Sequence, residues 1–435
     1  MKLRVFQSDK GDCILLQSKD GKNILCDGGM KASYSKHVAP ALGKMQEDGE
    51  VLDVVYVSHI DQDHISGVLQ LADDLVEWKI FDFQVDNGNA TMPEPDVVRP
   101  PDIDRVWNNA FHDQIGKNSG EIASLLAARA RVLSTLPKDF AIEAANEHAK
   151  IAQSEMEAVR LSRRLGDKQL RVRVNPEFDN RLMLVTDPSD PISVGSLEFT
   201  VIGPFAEDLR NLRAAWNDWL RKANTKSRLA KFRVESDDEE EQLGSAEFDG
   251  LIGRMMLEAK TLGDRKEVTL PNLASLMFHV RETTGETVLL TGDGHWADIL
   301  AGLESTGLLP PDGGLHVNVL KVQHHGSENN WHHKFGKRVT ADHYVFCGNG
   351  KHENPDLDVV QAVIDSRVGP NTTKGTNPGV NNPFKLWFNC ASNAADAGNR
   401  AHLKKLEKLV QKAKDKHGSK IKSRFLKASF FDLEL

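Results

Sequence analysis

The chain has 435 residues, 40% hydrophobic and 27% charged, the composition of a globular protein with room for one elaborated domain or two ordinary ones. No apolar run reaches the roughly 18 residues of a membrane span, and the opening MKLRVFQSDKGDCILL has no basic stretch followed by an apolar one; a cytoplasmic chain with neither membrane segment nor signal peptide is expected. A net charge of −8 argues against a free nucleic-acid binder of the basic kind, so a polyanion would have to meet a local basic patch or bound metal.

In chain order, KLRVF, CILLQS and NILC are short β-prone runs broken at Lys10-Gly11 and Asp20-Gly21. Residues 51–58, VLDVVYVS, are almost continuously apolar, as suits a strand buried on both faces. Residues 65–77 place Val68, Leu69, Leu71, Ala72 and Leu75 at helical spacing. Further strands are predicted at 196–202, 274–280, 287–292, 316–322 and 343–348. Two polar, helix-prone stretches, near 87–180 and 205–265, interrupt them and read as helical insertions into one β-rich domain spanning residues 1–390. Ala149, Ala152, Met156 and Val159 mark a helical face in the first; Trp216, Trp219 and Leu220 mark one in the second, followed by the acidic run ESDDEEE at 235–241, which reads as a solvated loop. Residues 391–435 read as a basic helical tail with a terminal strand. The four cysteines, Cys13, Cys26, Cys347 and Cys390, form no CxxC pair, which argues against a disulfide framework or a thiolate zinc site.

The segment SHIDQDHISG, residues 58–67, puts His59, Asp61, Asp63 and His64 within six positions, after a buried strand and at the start of a helix. A loop there can turn all four side chains toward one point. Imidazole and carboxylate together suit Zn²⁺, Mn²⁺ or Fe²⁺, and the carboxylate of Asp61 hardens the set enough to make manganese a real alternative to zinc.

This segment resembles the HxHxDH signature of the metallo-β-lactamase superfamily, with Asp61 where the second histidine stands. The HxDxDH variant is similar to the soluble domain of the ComEC-type competence DNA-uptake channels and to the phosphorylcholine esterases of that branch. QSDKGDCILL with NILCDGG (Gly11, Asp12, Asp27, Gly28 and Gly29) resembles the branch's opening strand pair. LLTGDG supplies Asp293, LKVQHHGS supplies His324 and His325, and FCGNGKHENPD resembles a later segment that usually carries HP. The resemblance covers residues 1–70 and 270–360. It implies an α/β, αββα sandwich and two divalent metal ions, Zn²⁺ or Mn²⁺, that activate a water for hydrolysis. By the same resemblance His59 and Asp61 hold the first ion, Asp63 and His64 the second, Asp293 bridges both and His324 completes the second site. His325 contacts substrate phosphate or supports a ligand, with its role and that of His324 exchangeable, and Asp27 orients a ligand histidine.

The chain departs from the pattern twice. Asn272 and Ser275 stand where the wider superfamily has a histidine, His279 reading as a packed strand residue. Asn354 stands at the HP histidine, with His352 two residues earlier as a candidate general acid. Asp63, His325 and His352 are therefore the catalytic candidates. His295, His332 and His333 are candidates for lining the pocket; His112 and His148 read as solvated or packed.

The tail carries Lys404, Lys405, Lys408, Lys412, Lys414, Lys416, Lys420 and Lys422 behind an apolar stripe of Leu403, Leu406, Val410 and Ala413. It reads first as a packed surface helix and second as a phosphate-binding face. The expected activity is a phosphodiesterase or nuclease with nucleic acid as substrate. The alternative is hydrolysis of a small phosphoester, cyclic nucleotide or lactone, with a place in bacterial defence beside a partner protein encoded nearby. Oligomeric state is not legible.

Overall fold

The computed structural model describes residues 1–109, 153–154, 157–186, 190–207, 209–210 and 275–435. Ala149, Ala152, Met156, His112, His148, Trp216, Trp219, Leu220, Asn272 and the acidic run lie outside these residues.

Two sheets face each other. The first runs in the order β15-β1-β2-β3-β4-β5-β6, formed by Phe430–Glu434, Lys2–Phe6, Ile14–Gln17, Asn23–Cys26, Val54–Val57, Arg105–Asn108 and Arg173–Val174. The second runs β14-β13-β12-β11-β10-β9-β8-β7, formed by Ile421–Phe425, Phe384–Phe388, Val339–Phe346, Leu315–Lys321, Thr287–Leu290, Met277–Glu282, Leu197–Gly203 and Ile192–Val194. Alternation along the strands sorts side chains into three apolar layers. Leu3, Val5, Ile24, Tyr56 and Trp107 of the first sheet meet Phe199, Phe278, Val280, Val319 and Trp387 of the second between the sheets. The outer face of the first sheet packs Leu25, Val55 and Val57 against helices α1 (Ala39–Glu47) and α2 (Gln62–Asp86). The outer face of the second packs Leu320, Tyr344 and Phe346 beneath α3 (Trp296–Ser305), α4 (His333–Arg338), α5 (Leu357–Val368) and α6 (Ala397–His417). The result is the expected mixed α/β sandwich with helices outside two sheets.

The stretch 87–180 is not wholly an insertion: β5 and β6 lie inside it and extend the first sheet in parallel from β4. Both are short, and β6 is only two residues, so neither has enough alternation to announce itself in sequence. The tail is likewise part of the sandwich. α6 buries Leu403, Leu406, Val410 and Ala413, β14 closes the second sheet, and β15 pairs with β1 across 428 residues of chain to close the first. The predicted helix at 65–77 extends to Gln62–Asp86.

The central strands β3, β4, β10 and β11 all deliver their following loops to one end of the sandwich, beyond their carboxyl ends, where ligands commonly bind. The first turn of α2 is docked there on the loop after β3. Gly28 N donates to His64 O at 2.9 Å, and Gly67 N donates to Gly29 O at 2.9 Å. The approach is too close for any side chain: a Cβ on Gly67 would stand 2.0 Å from Gly28 O, and one on Gly28 2.3 Å from Val68 N. Gly67→Ala is therefore expected to destabilise the chain by about 2–3 kcal/mol through forced backbone movement, read by urea denaturation, and to lower metal content by displacing the turn that carries His64. A variant as stable as the parent would show that this docking is not needed.

Candidate metal centre

Four segments build the site. β4 leads into Ser58 and His59, and the chain turns at once into α2, with Asp61 at its N-cap and Asp63 and His64 in its first turn. β10 ends in the turn bearing Asp293. β11 ends at Lys321 and runs into His324 and His325, which hold positive φ values of 44° and 55°. Non-glycine residues in that left-handed region cost of order 1–3 kcal/mol and mark places where the surroundings dictate the backbone. The fourth segment is the turn before β2, which carries Asp12.

Asp293 is the centre. Its carboxylate lies 3.7 Å from His59 Nε2, 3.4 Å from His64 Nε2, 3.6 Å from His324 Nε2 and 3.4 Å from His325 Nε2. Asp61 stands 3.7 Å from His59 Nε2 and Asp63 3.5 Å from His325 Nε2. These separations are longer than ordinary hydrogen bonds. They match two donors sharing one ion: ligands about 2.0–2.1 Å from a tetrahedral metal stand about 3.3–3.4 Å apart. His59 Nε2, His64 Nε2 and Asp293 Oδ1 are buried and have no hydrogen-bond partner. Buried polar atoms without partners are costly, so three of them aimed at one another call for a group to satisfy them. The donor set fits a divalent cation.

Behind the imidazoles lies a second polar layer. Asp27 takes the Ser58 backbone N–H and hydroxyl at 2.7 Å each and stands 2.9 Å from His64 Nδ1. Asp12 stands 3.2 Å from His325 Nδ1, and Asn330 Oδ1 stands 2.6 Å from His324 Nδ1 while its amide donates to Asp293 O at 2.8 Å. Each of these three rings is thus held from the rear through Nδ1, which leaves Nε2 facing Asp293. Asp27 occupies the orienting position expected of it. Asp12, Ser58 and Asn330 were not predicted to do so; only the polar residues beside the histidines hinted at them.

Charge follows the geometry. Burial opposes ionisation of His64, but the carboxylates of Asp293, Asp27 and Asp12 outweigh it and hold its pKa well above the ordinary value. His325 is raised in the same way against burial, by Asp293 and Asp12. Asp293 and Asp63 lie well below the usual carboxylate range, because neighbouring imidazoles overcome their burial. His324 is shifted down, burial prevailing over Asp293.

His352 is exposed, on a turn at φ 55°, and Asn354 follows it. His295 caps α3, its Nδ1 accepting from Ala297 N at 3.3 Å, and His332 caps α4 while stacking on Trp296 at 4.5 Å. His333 is exposed. His279 is buried in β9, where burial pushes its pKa down to about 4, the behaviour of a packed neutral ring.

Metal binding needs Nε2 of His64 and His325 free of protons, so zinc uptake is expected to release about one to two protons per chain near neutrality and to tighten as pH rises. In the metal-free chain the same two raised histidines contribute stability that is complete below the ordinary histidine range and is lost as pH rises through their raised values. Calorimetric titration in buffers of different ionisation heat counts the protons; uptake with none released would contradict this charge distribution.

Among known proteins, no curated sequence matches the chain significantly. Two solved structures align along nearly its whole length: the HARLDQ-motif metallo-beta-lactamase of Cronobacter sakazakii, at 12% identity over 94% of this chain and 96% of that one, and a multiply substituted variant of it, at 11% over 95% of each. Both have a TM-score of 0.26. The sequence model of the metallo-beta-lactamase superfamily matches residues 9–76, the segment that supplies Asp12, Asp27, His59, Asp61, Asp63 and His64. The likeness to that superfamily's model is confined to this segment, about one sixth of the chain.

Proposed function

We propose that the chain is a metal-dependent phosphodiesterase, most specifically a nuclease. The observation that carries the metal-dependent part is the ring of four imidazole Nε2 atoms at 3.4–3.7 Å around the buried carboxylate of Asp293. In this reading His59 and Asp61 would hold one divalent ion, Asp63 and His64 the other, and Asp293 would serve both. His324 and His325 both present Nε2 to the second position, and His325, nearer Asp63 and His64, is as good a ligand as His324. Zn²⁺ or Mn²⁺ bound there would supply Lewis acidity toward a phosphoryl oxygen and lower the pKa of water. The chain's own residues fix the donors: Asp27, Asp12 and Asn330 hold the rings, and Lys10, 3.4 Å from Asp63, limits the swing of that carboxylate at the rim. His352 remains a candidate general acid if the turn at Lys351–Glu353 moves toward substrate.

A polymeric substrate is favoured by α6. Its start packs beside the site, His402 Nε2 standing 2.9 Å from Pro355 O while Asp356 N donates to Gly326 O next to His325. Its 21 residues then lead roughly 30 Å away at 1.5 Å per residue. Lys404, Lys405, Lys408 and Lys412 are exposed along it. A strand of nucleic acid with its scissile phosphate at Asp293 could lay its backbone along these lysines, which would contact phosphate without reading sequence. The net charge of −8 favours the second reading, a small phosphoester, cyclic nucleotide or lactone. No helix among the described residues is long and apolar enough to cross a membrane, in keeping with a role in the cytoplasm.

Asp63→Ala or Asp293→Ala is expected to lower metal content and abolish hydrolysis of bis-p-nitrophenyl phosphate while the circular dichroism spectrum is retained. Metal-depleted parent should be inactive and recover with Mn²⁺ or Zn²⁺; full activity without metal would end the proposal. Charge reversal of Lys404, Lys405, Lys408 and Lys412 to Glu is expected to weaken DNA binding and flatten its salt dependence, leaving the small diester untouched. Equal loss on both substrates would make α6 a purely structural element.

A further inference from the structure

Lys321 is a buried cation inside a cluster read as a metal centre. It is the last residue of β11 and is 2% exposed. Its ammonium forms a close ion pair with Asp12 Oδ2, donates to Gly292 O at 2.8 Å and stands 3.6 Å from Asp293 Oδ1. Asp12 is itself 3% exposed and reaches His325 Nδ1 with its other oxygen. Together with Cys26, Asp27, Tyr56 and Thr291 the pair lines a small cavity between the sheets.

Two arrangements of charge are open to these groups. Asp12, His64, Asp293 and His325 each offer a ligand atom within 4.8 Å of the others, so an ion could in principle be drawn to the rear of the rings, where Asp12 faces Nδ1 of His64 at 3.9 Å and of His325 at 3.2 Å. The ammonium of Lys321 already neutralises Asp12 there, and a metal beside it would be repelled. Conversely, a buried ammonium deprived of Asp12 stands 3.6 Å from the carboxylate of Asp293, the proposed bridging ligand. An unpaired buried charge is expensive enough to seek it.

We propose that Asp12 and Lys321 form a resident ion pair that positions the metal centre: Lys321 holds Asp12 as the acceptor for His325 Nδ1, and Asp12 keeps the ammonium off Asp293. Both are positioning residues, since neither meets substrate. The inference rests on reading the cluster as a metal centre and goes beyond it, because it assigns a function to a cation that metal binding alone would disfavour.

The test is a double-mutant cycle on zinc affinity in the full-length chain, by competition with a chromogenic chelator, with the melting temperature of each metal-free variant recorded alongside. Asp12→Asn is expected to weaken zinc binding about tenfold or more, as Lys321 turns to Asp293. Adding Lys321→Met, which removes that competitor at similar volume, is expected to restore affinity well above that of Asp12→Asn alone. A loss of less than about threefold in Asp12→Asn, or a double variant that binds zinc no better than Asp12→Asn, overturns the proposal. A merely structural pair would give losses that add and that follow the melting temperatures. If Asp12→Asn does not fold alone, the comparison is Lys321→Met against the double variant: with no ammonium to restrain, Asp12→Asn should change affinity by less than about threefold, and a tenfold loss refutes the pairing. Failure of the parent itself to bind zinc would instead refute the metal centre.

Discussion

A buried carboxylate surrounded by imidazoles is the constraint on which the rest of the molecule turns. Asp293 is 2% exposed and collects four Nε2 atoms from two separate loops. Without a cation among them, lone pairs and partial charges lie in a low-dielectric interior with incomplete satisfaction. The sandwich keeps them there by geometry. Strand ends from both sheets bring the loops together, and glycines at 28 and 67 let α2 lie directly on the first sheet. Tyr56 and Ser58 tie the sheets at this end, the Tyr56 hydroxyl donating to Leu276 O and Leu276 N donating to Ser58 O at 2.8 Å.

The site is organised in depth. A front layer of Asp61, Asp63 and Asp293 faces Nε2; a rear layer of Asp12, Asp27 and Asn330 faces Nδ1. Imidazole suits the position between them, because one ring nitrogen can be anchored while the other is presented. The left-handed backbone at His324 and His325 serves the same end, turning two consecutive rings toward one carboxylate. Such an arrangement can bind and activate; what it acts on depends on groups outside it. In the proposed reading, the lysines of α6 would supply such groups for a polymer.

Much of this was legible in the sequence, for identifiable reasons. HIDQDH, TGDG and QHHGS are local clusters after apolar runs, so ligand-type residues and the strands that aim them are read together. Asp27 was legible as an orienting group through its resemblance to a known pattern. Lys321 was not, because within LHVNVLKV it reads as an ordinary strand-end lysine and its partner Asp12 lies 309 positions earlier. Long-range pairing also hid β5 and β6 inside a helix-prone stretch and made the tail, read as an appendage, into the closing strand of each sheet. His352, nominated by sequence spacing, is exposed on a turn.

The central claim is that divalent ions sit between the Nε2 atoms and Asp293, in front of the rings and not behind them. Anomalous scattering from zinc-loaded crystals tests it most directly. The account expects density beside Asp293, within coordinating distance of His59 and Asp61 on one side and of Asp63, His64 and His324 or His325 on the other. Density only behind the rings, between Asp12 and the Nδ1 atoms, or none near Asp293 at saturating zinc, would contradict it.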